Sequence, residues 1–454
     1  MRELLLAAGG GRMSRKSAGK VALLRSLSAA AGVGLLMAAA CGGNSDVATP
    51  NGPGSQPNDS SFASTGTIAF ARGGEIRLAE PDGSGERSIW TAPAGLGFTV
   101  SGIAWKPNGG SLAFSSDHEM ATSFYERDIY TVLPDGARLR KLTNGPAHDE
   151  LAGLPKGAVQ VTVQNNTGDG GPYFIYAVGG PEPQSMLIAP GGSTTLTLPN
   201  VADLGSFVQP VVAINGGFRW IGAAADVKAG STKDAGLLII TPSGGLEHFG
   251  AAGPAWRSDG TNVGFIAGAA TCTLEKISAT PAAGTLGDPL LAPDRSGAFC
   301  AFDRSPLPSQ ANQVLAAETD FSVGQGHIYG MTEGSGDRGA PLVTYPDYVQ
   351  ILDLRWLPDG SGFLFAAARY DDVIDESSNL YEYSFATSSV HKITQLANEY
   401  VRGFSISPDG QRVVFERTTD LGGQSSLWIV QRDGSGLRLL VDNANSPAWN
   451  PTRP

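Results

Sequence analysis

Phe404 to Phe415 reads FSISPDGQRVVF, an apolar strand, a Pro-Asp-Gly turn and a second strand that ends in Phe. The turn has a mechanism in each residue: Pro presets φ, Asp bonds its own backbone, and Gly takes positive φ. The same pattern returns as LRWLPDGSGFLF (Leu354 to Phe365), PAWRSDGTNVGF (Pro254 to Phe265) and IAWKPNGGSLAF (Ile103 to Phe114). In all four, the apolar residue before the turn (Trp105, Trp256, Trp356, Ile406) is followed seven residues later by Leu112, Val263, Phe363 or Val413. Two residues further on stands Phe114, Phe265, Phe365 or Phe415. Side chains alternate along a strand, so these two positions share one face. That face is expected to be buried against the neighbouring repeat.

Trp256, Trp356, Ile406 and Trp449 are separated by 100, 50 and 43 residues, and FDRSPLPSQANQVLAAE (Phe302 to Glu318) fits as a degenerate repeat halfway through the first gap. Periods of about forty to fifty residues predict the blades of a β-propeller. TIAFA (Thr67 to Ala71) has the second strand of the repeat without its first, whereas Pro447 to Pro451 has the opening and then stops. One blade is therefore expected to be completed by strands from both termini, which closes the ring and removes exposed sheet edges. Between Trp105 and Trp256 lie 151 residues, too many for one blade. VAINGGFRWIGAA (Val212 to Ala224) with GLLIITPSGGLEHF reads as a further blade, which leaves residues 155–208 as an insertion. Its runs VQVTVQNN, YFIYAVGG and STTLTLPN predict a small β-sandwich-like module. The expectation is an all-β chain of about seven four-stranded blades, with six or eight also compatible, in which residues 66–150 and 209–454 build the ring.

Composition agrees, since 61 Gly, 29 Pro and 17% charged residues describe a turn-rich, exported all-β protein. Residues 1–40 read as a targeting segment: Arg15, Lys16, Lys20 and Arg25 are basic, Ala29 to Met37 is apolar, and three alanines precede Cys41 and Gly42. Met13 just ahead of the basic group is an alternative start. This arrangement resembles a bacterial lipoprotein signal, although Ala38 stands where such signals usually have Leu. The resemblance implies lipidation of Cys41, and Gly42 in place of Asp implies the outer membrane. An ordinary cleaved signal is the bland alternative; the apolar stretch is too short to span a hydrocarbon core of ~30 Å. Residues 41–65 are Gly-, Pro-, Ser- and Asn-rich and read as a flexible tether. The net charge is −11, and loss of a leader with six basic residues and one acidic residue takes it to −16. Such an acidic chain is a poor partner for nucleic acid, whose phosphates need Lys and Arg.

The Trp-x-Pro-Asp-Gly hairpins, with second turns at Pro81-Asp82-Gly83, Pro134-Asp135-Gly136 and Arg432-Asp433-Gly434, resemble TolB-like (WD-repeat-like) β-propeller repeats over most of residues 66–454. The resemblance implies fold firmly and function weakly. Its relatives include soluble periplasmic proteins that act through protein partners and the propeller domains of prolyl oligopeptidase-like hydrolases. A Gly-x-Ser-x-Gly elbow is missing and no hydrolase domain is expected after Pro454, so the peptidase reading falls away. Arg257-Ser-Asp-Gly-Thr reads as a turn, and the five His residues show no metal-ligand spacing. Asp371, Asp372, Asp375 and Glu376 carry oxygen ligands suited to Ca²⁺ but lack calcium-loop spacing, so they read as a solvated acidic loop and no cofactor is expected. Cys272 and Cys300 are expected to form a disulfide between neighbouring blades in an oxidising compartment, or to remain free thiols.

In a four-stranded blade the first-to-second and third-to-fourth turns share one face of the ring, and these are the short Asp-Gly turns. The other face carries long connections, the usual place of recognition on a rigid scaffold. The candidate binding residues are His118, Glu119, Tyr125, His148, Asp149, Tyr345, Tyr348, Tyr370, Asp371, Asp372, Asp375, Glu376 and Tyr400. Tyr interleaved with carboxylates suits a protein or glycan partner; solvated loops without a ligand are the plainer reading. Two functions follow: a non-catalytic binding scaffold held at the cell envelope by a lipid anchor, or an envelope enzyme of lyase, lactonase or hydrolase type with carboxylates at the channel. Only converging groups on one substrate position would favour the enzyme.

Overall fold

The computed structural model describes residues 66–452 apart from 94–97, 120–124, 144–151, 169, 171–172, 178, 181–183, 206–208, 216–218, 243–245, 248, 269–271, 282–286, 293–297, 321–324, 347–348, 370–376 and 421–422. Blade 1 takes β1 (Ile68–Arg72), β2 (Glu75–Ala79) and β3 (Arg87–Thr91) from the start of the fold. Blade 2 is β4 (Val100–Trp105), β5 (Leu112–Ser116), β6 (Tyr125–Val132) and β7 (Arg140–Lys141). Eight strands follow: β8 (Lys156–Asn165), β9 (Tyr173–Ala177), β10 (Gln184–Met186), β11 (Ser193–Ala202), β12 (Gln209–Asn215), β13 (Arg219–Ala225), β14 (Thr232–Ile240) and β15 (Leu246–Glu247). Blade 3 is β16 (Phe249–Trp256), β17 (Asn262–Gly268), β18 (Thr273–Ser278) and β19 (Asp288–Pro289). Blade 4 is β20 (Ala298–Arg304), β21 (Gln313–Asp320), β22 (Gln325–Thr332) and β23 (Val343–Pro346). Blade 5 is β24 (Gln350–Trp356), β25 (Gly362–Ala368), β26 (Ser378–Ser384) and β27 (Ser389–Lys392). Blade 6 is β28 (Tyr400–Ile406), β29 (Arg412–Thr418), β30 (Ser426–Gln431) and β31 (Arg438–Val441), and β32 (Asn445–Trp449) returns to blade 1.

The turn chemistry works as the sequence implies. In the turns after β16, β24 and β28, Oδ1 of Asp259, Asp359 and Asp409 accepts the backbone N–H two residues on, at 3.0 Å in each case. The four residues seven places after the strand-ending Trp or Ile, and the four Phe after them, are all fully buried. Trp105, Leu112 and Phe114 pack with Ala69, Leu78 and Ala448, so this cluster lies between blades 2 and 1. The degenerate repeat is also a blade hairpin: β20 pairs β21, with Ser305 N–H donating to Gln313 O at the turn.

The ring closes through the two ends of the fold. β32 pairs antiparallel with β1, with Ile68 opposite Trp449 and Ala69 opposite Ala448, and Asn450 N–H donates to Thr67 O. Trp449 is buried with Ile68, Phe70, Val414, Leu427 and Ile429. The innermost strands touch in one cycle, β32 to β4 to β16 to β20 to β24 to β28 and back to β32.

The described residues therefore form six blades, within the expected range and one fewer than the central count. The expected additional blade belongs to the insertion. β12 pairs β9 as well as β13, and β14 runs parallel to β8, so both are tied to the inserted strands and not to a blade. A local hairpin signature cannot say which sheet accepts it. The module is two sheets, β11-β8-β14 and β10-β9-β12-β13-β15, around a core of its own that includes Val159, Val161, Val163, Tyr173, Ile175, Leu198 and Leu238. It occupies residues 156–247, beyond the expected boundary at residue 208.

Candidate functional site

The insertion leaves blade 2 after its outermost strand, β7, and re-enters at β16, the innermost strand of blade 3. That connection belongs to the long-loop face by the antiparallel order of the blades. The module is also attached by packing: Tyr176 of β9 is buried among Ala113, Ile129, Leu142, Ala251, Phe265 and Ile277 of blades 2 and 3. Burial and the nearby Asp128 charge raise its phenol far above the ordinary range.

A polar cluster lies within blade 2 on the same side. Lys141, buried in β7, places Nζ 3.1 Å from Asp128 Oδ2 and 3.2 Å from Glu119 Oε2. Tyr130 Oη donates to Glu119 at 2.9 Å, and Thr143 Oγ1 donates to Asp128 Oδ1 at 2.6 Å. Burial lowers the Lys141 ammonium, but its two carboxylate neighbours outweigh this and raise it. His118 sits above, half-buried, with its ring 5.1 Å from Trp90 and 4.5 Å from Tyr130 and Nδ1 3.0 Å from Ser116 Oγ. The two carboxylates share one ammonium and are completed by the Tyr130 and Thr143 hydroxyls, so removing Lys141 would leave buried charge uncompensated.

A second polar arrangement follows the channel wall. All six inner-strand pairings shift register at the same level, between Phe299 and Ala301, Ile351 and Asp353, Val401 and Phe404, Ser101 and Ala104, Ala252 and Ala255, and opposite β32 between Ala69 and Ala71. Such bulges leave inner-strand backbone groups unpaired within their own blade. Side chains of the preceding blade accept N–H groups along this inner edge, at the bulge in β28 and β32 and beyond it in β24. Asp303 Oδ2 accepts Trp356 N–H at 2.8 Å across the blade 4–5 seam, and Asp353 Oδ2 accepts Phe404 N–H at 3.0 Å across the 5–6 seam. Glu416 Oε1 accepts Ser446 N–H at 2.6 Å across the 6–1 seam. Arg355 lies 2.8 Å from Asp353 Oδ1, and Arg402 Nε lies 3.3 Å from Glu416 Oε2. At Gly403 a Cβ would stand 3.0 Å from Glu416 Oε1 and 3.8 Å from Asp353 Oδ2, so glycine lets the strand pass between the carboxylates.

Desolvation raises all three acids. It pushes Asp303 up to about 6, with Arg355 and the Trp356 and Arg304 backbone bonds opposing it and the Asp353 charge adding to it. Asp353 and Glu416 move upward for the same leading reason, against Arg355 and Arg402 respectively. Asp303, Asp353 and Glu416 each hold a backbone N–H of the next blade, and Asp353 and Glu416 also neighbour an arginine, so each has a structural part in a seam.

Of the candidate residues, the structure brings His118 and Glu119 together. It places them in a packed network and not on an open binding surface: Glu119 is committed to Tyr130 and Lys141. Tyr345, expected in a loop, is a buried core residue of β23 whose Oη donates to Glu318 O at 3.2 Å. Tyr345 packs over Gly326 of β22 and in one core cluster with Ile328, Val349 and Ile351, so strand packing outweighed the loop composition. Tyr400 opens β28 at the long-loop end of the inner strand and is half-buried. The backbone of Tyr125 begins β6. Cys41, His148, Asp149, Tyr348, Tyr370, Asp371, Asp372, Asp375 and Glu376 lie outside the described residues. The disulfide between Cys272 and Cys300 is not formed; both are free thiols, and Cys300 Sγ donates to Ala317 O of its own blade at 3.5 Å. Among the described residues no three His, Cys, Asp or Glu side chains come together as a metal site.

The sequence reading missed Asp303, Asp353, Arg355, Arg402, Glu416, Asp128 and Lys141. The signal was present for the first group: ILDLRW and AFDR each insert a carboxylate into an apolar inner strand. A buried polar residue in such a run implies a partner, although the sequence cannot name it.

No family model matches the chain. Over 116 residues it is 29% identical to the Tol-Pal system protein TolB of Anaeromyxobacter dehalogenans strain 2CP-C, and 28% identical to that of strain 2CP-1. Each match covers 25% of this chain and 25% of the relative, so the chain matches about a quarter of the length of these curated relatives. Among solved structures, a chain of a nidogen/laminin complex is similar with a TM-score of 0.43 and 9% identity, covering 85% of this chain and 98% of that one. An oligogalacturonate lyase from Vibrio parahaemolyticus is similar with a TM-score of 0.36 and 10% identity, covering 84% and 87%. The closed cycle of inner strands and the repeated Asp-Gly hairpins make the chain a β-propeller, similar to TolB over about a quarter of its length.

Proposed function

We propose that the protein is a non-catalytic scaffold of the bacterial cell envelope, tethered through lipidated Cys41, that binds a protein or glycan partner on its long-loop face. The observation that carries this reading is the commitment of the channel carboxylates. Asp303, Asp353 and Glu416 each hold a backbone N–H of the next blade, and Asp353 and Glu416 also hold an arginine. An enzyme using them would have to break seams of its own ring. The long-loop face, by contrast, carries the connection into the inserted module. The TolB relatives, Tol-Pal system proteins by name, are consistent with an envelope location and a protein partner.

The test compares isosteric neutralisation on the two faces. Asp371→Asn, Asp372→Asn, Asp375→Asn and Glu376→Gln are combined in one variant; Asp82→Asn, Asp135→Asn, Asp409→Asn and Asp433→Asn form the other. Asn keeps an Oδ1 acceptor for the turns that these four Asp residues cap. Crosslinking in envelope extracts should lose its partners in the loop variant and keep them in the turn variant. Association should also slow with salt, which screens charge beyond ~8 to 10 Å. Loss confined to the turn variant, with both variants folded, overturns the assignment of the face.

A further inference from the structure

The outermost strands of the six blades, β3, β7, β19, β23, β27 and β31, are two to five residues long. Short edges are one way in which a sheet avoids pairing with another chain. The three-stranded sheet of the inserted module is different, because its two edges, β11 and β14, are ten and nine residues long. β11 is blunted. Pro199 has no N–H to offer, the ladder shifts register between Leu198 and Val201, Asn200 stands at a φ of 58°, and Gln184 Nε2 donates to Thr197 O at 3.4 Å.

β14 is guarded over its first half only. Lys233 and Asp234 are exposed charges, and a bulge follows at Ala235 and Gly236, where Asp234 Oδ1 accepts Gly236 N–H at 2.8 Å. From Leu237 to Ile240 the strand runs in unbroken parallel register with β8, and among the described residues no strand pairs with its other edge. Alternate residues of such an edge turn both N–H and C=O away from the sheet, so what completes it is another extended strand.

The side chains say which strand. Leu238 and Ile240 are buried in the module core, whereas Leu237 and Ile239 are 52% and 40% exposed. The outer face beside them is uncharged: Thr162 and Gln164 of β8 lie level with Leu237 and Ile239, and Thr195 and Ser193 of β11 lie beyond. No charged residue occurs from Ala235 to Leu246, in a chain whose net charge is −11. An acidic surface repels a second copy of itself; this stretch does not. The segment is also its own complement. Directly paired residues share a face, so an antiparallel two-fold must pass through a residue and not between two. A two-fold through Leu238 sets Leu237 opposite Ile239 of the second copy, and Ile239 opposite its Leu237, which covers all four exposed side chains. Leu437 and Leu439, exposed on β31, lie on a strand already met by blade 1: Arg438 donates to Pro81 O at 2.8 Å, and a Cβ on Gly83 would stand 3.0 Å from Leu440 O.

We propose that the protein self-associates through β14, two copies pairing antiparallel along Leu237 to Ile240 so that their β11-β8-β14 sheets continue as one. The contact is isologous, as a two-fold dimer requires. It lies on the module and rests neither on the lipid anchor nor on the scaffold reading above.

Sedimentation velocity of the full mature chain from about 5 µM to about 500 µM should show a reversible monomer–dimer equilibrium, since a contact of one short strand belongs to the small, weak class of interfaces. Leu237→Lys and Ile239→Lys should each weaken the dimer at least about tenfold without lowering the melting temperature, because both side chains are exposed in the monomer. Leu237→Glu combined with Ile239→Lys should regain the dimer that either substitution alone loses, because the two-fold sets the opposite charges against each other. Leu437→Lys on β31 should leave association unchanged. The proposal is overturned if the chain stays monomeric over this range, if the dimer persists in either lysine variant of β14, if Leu437→Lys weakens it as much, or if the paired charges restore nothing.

Discussion

Replacing Asp303 by Asn should stabilise the protein at neutral pH and flatten its pH dependence. Desolvation raises this carboxyl from an ordinary 3.8 to about 6 in the folded chain. Between about pH 4 and pH 6 the folded state therefore holds a proton that the unfolded state has released. The associated stability is complete below about pH 4 and is lost as pH rises through about 6. A shift of roughly two units corresponds to about 3 kcal/mol at most, at about 1.36 kcal/mol per unit. Asp303 is half-buried, and solvent screening reduces the expected effect to about 1–2 kcal/mol. Asn carries no charge at any of these pH values and keeps a carbonyl oxygen for Trp356 N–H, now accepted at 2.8 Å.

Denaturant unfolding at about pH 3.5 and about pH 7.5, on either side of the window, gives the comparison. Asp303→Asn should match the wild type at the lower pH and exceed it by about 1–2 kcal/mol at the higher. Asp303→Ala removes the acceptor altogether and should lose about 1–3 kcal/mol at the lower pH, because the Trp356 N–H is left unpaired. Asp353 and Glu416 are shifted the same way and titrate in every variant, so the difference between proteins is the quantity to read. If the wild-type and Asn curves run parallel across the window, the carboxylate is not desolvated and this account of the seam is wrong.

Three further outcomes are expected. Trp449→Ala removes a buried ring beside the β1–β32 closure, at a cost of ~3 to 5 kcal/mol out of a total of ~5 to 15, so it should melt much lower or be insoluble; an unchanged melting curve means the ring is not latched there. Tyr176→Ala should detach the inserted module from blades 2 and 3 while its own core stays folded, seen as faster proteolysis of residues 144–155; cleavage at the wild-type rate argues that the docking is held elsewhere. Metabolic labelling with a fatty-acid analogue should mark the wild type and not Cys41→Ser, and equal labelling of the two rejects the anchor.

The repeat was legible because it is local. Pro, Asp and Gly dictate each turn, and the alternation from Trp356 to Phe363 and Phe365 dictates which face is buried. Closure was legible because Thr67 to Ala71 and Pro447 to Pro451 are complementary halves of that local pattern. The insertion was only partly legible. Val212 to Ala224 forms a good hairpin in either setting, and its pairing with β9, thirty-six residues earlier at Tyr176–Val212, leaves no local mark. The candidate site was least legible. Tyr345 and the loop tyrosines share a composition, yet Tyr345 is buried by strand pairing, whereas Asp303 and Asp353 matter through backbone groups of another blade.

That last point bears on how the ring is held. The inner strands at the 4–5, 5–6 and 6–1 seams are bridged by carboxylates, whereas those at the 1–2 and 2–3 seams are joined by neutral donors and acceptors: Gly102 N–H to Ser446 Oγ at 3.0 Å, Trp105 to Ala448 O, Trp256 to Ala104 O and Ser115 Oγ to Ala251 O at 2.5 Å. The titratable half includes the seam beside β32, where the chain ends meet. Protonation of Asp303, Asp353 or Glu416 removes a desolvated charge and leaves an oxygen that still accepts the neighbouring N–H. Mild acid therefore tightens these three seams and leaves the neutral ones unchanged, because the cost being relieved is burial of charge and not loss of a hydrogen bond.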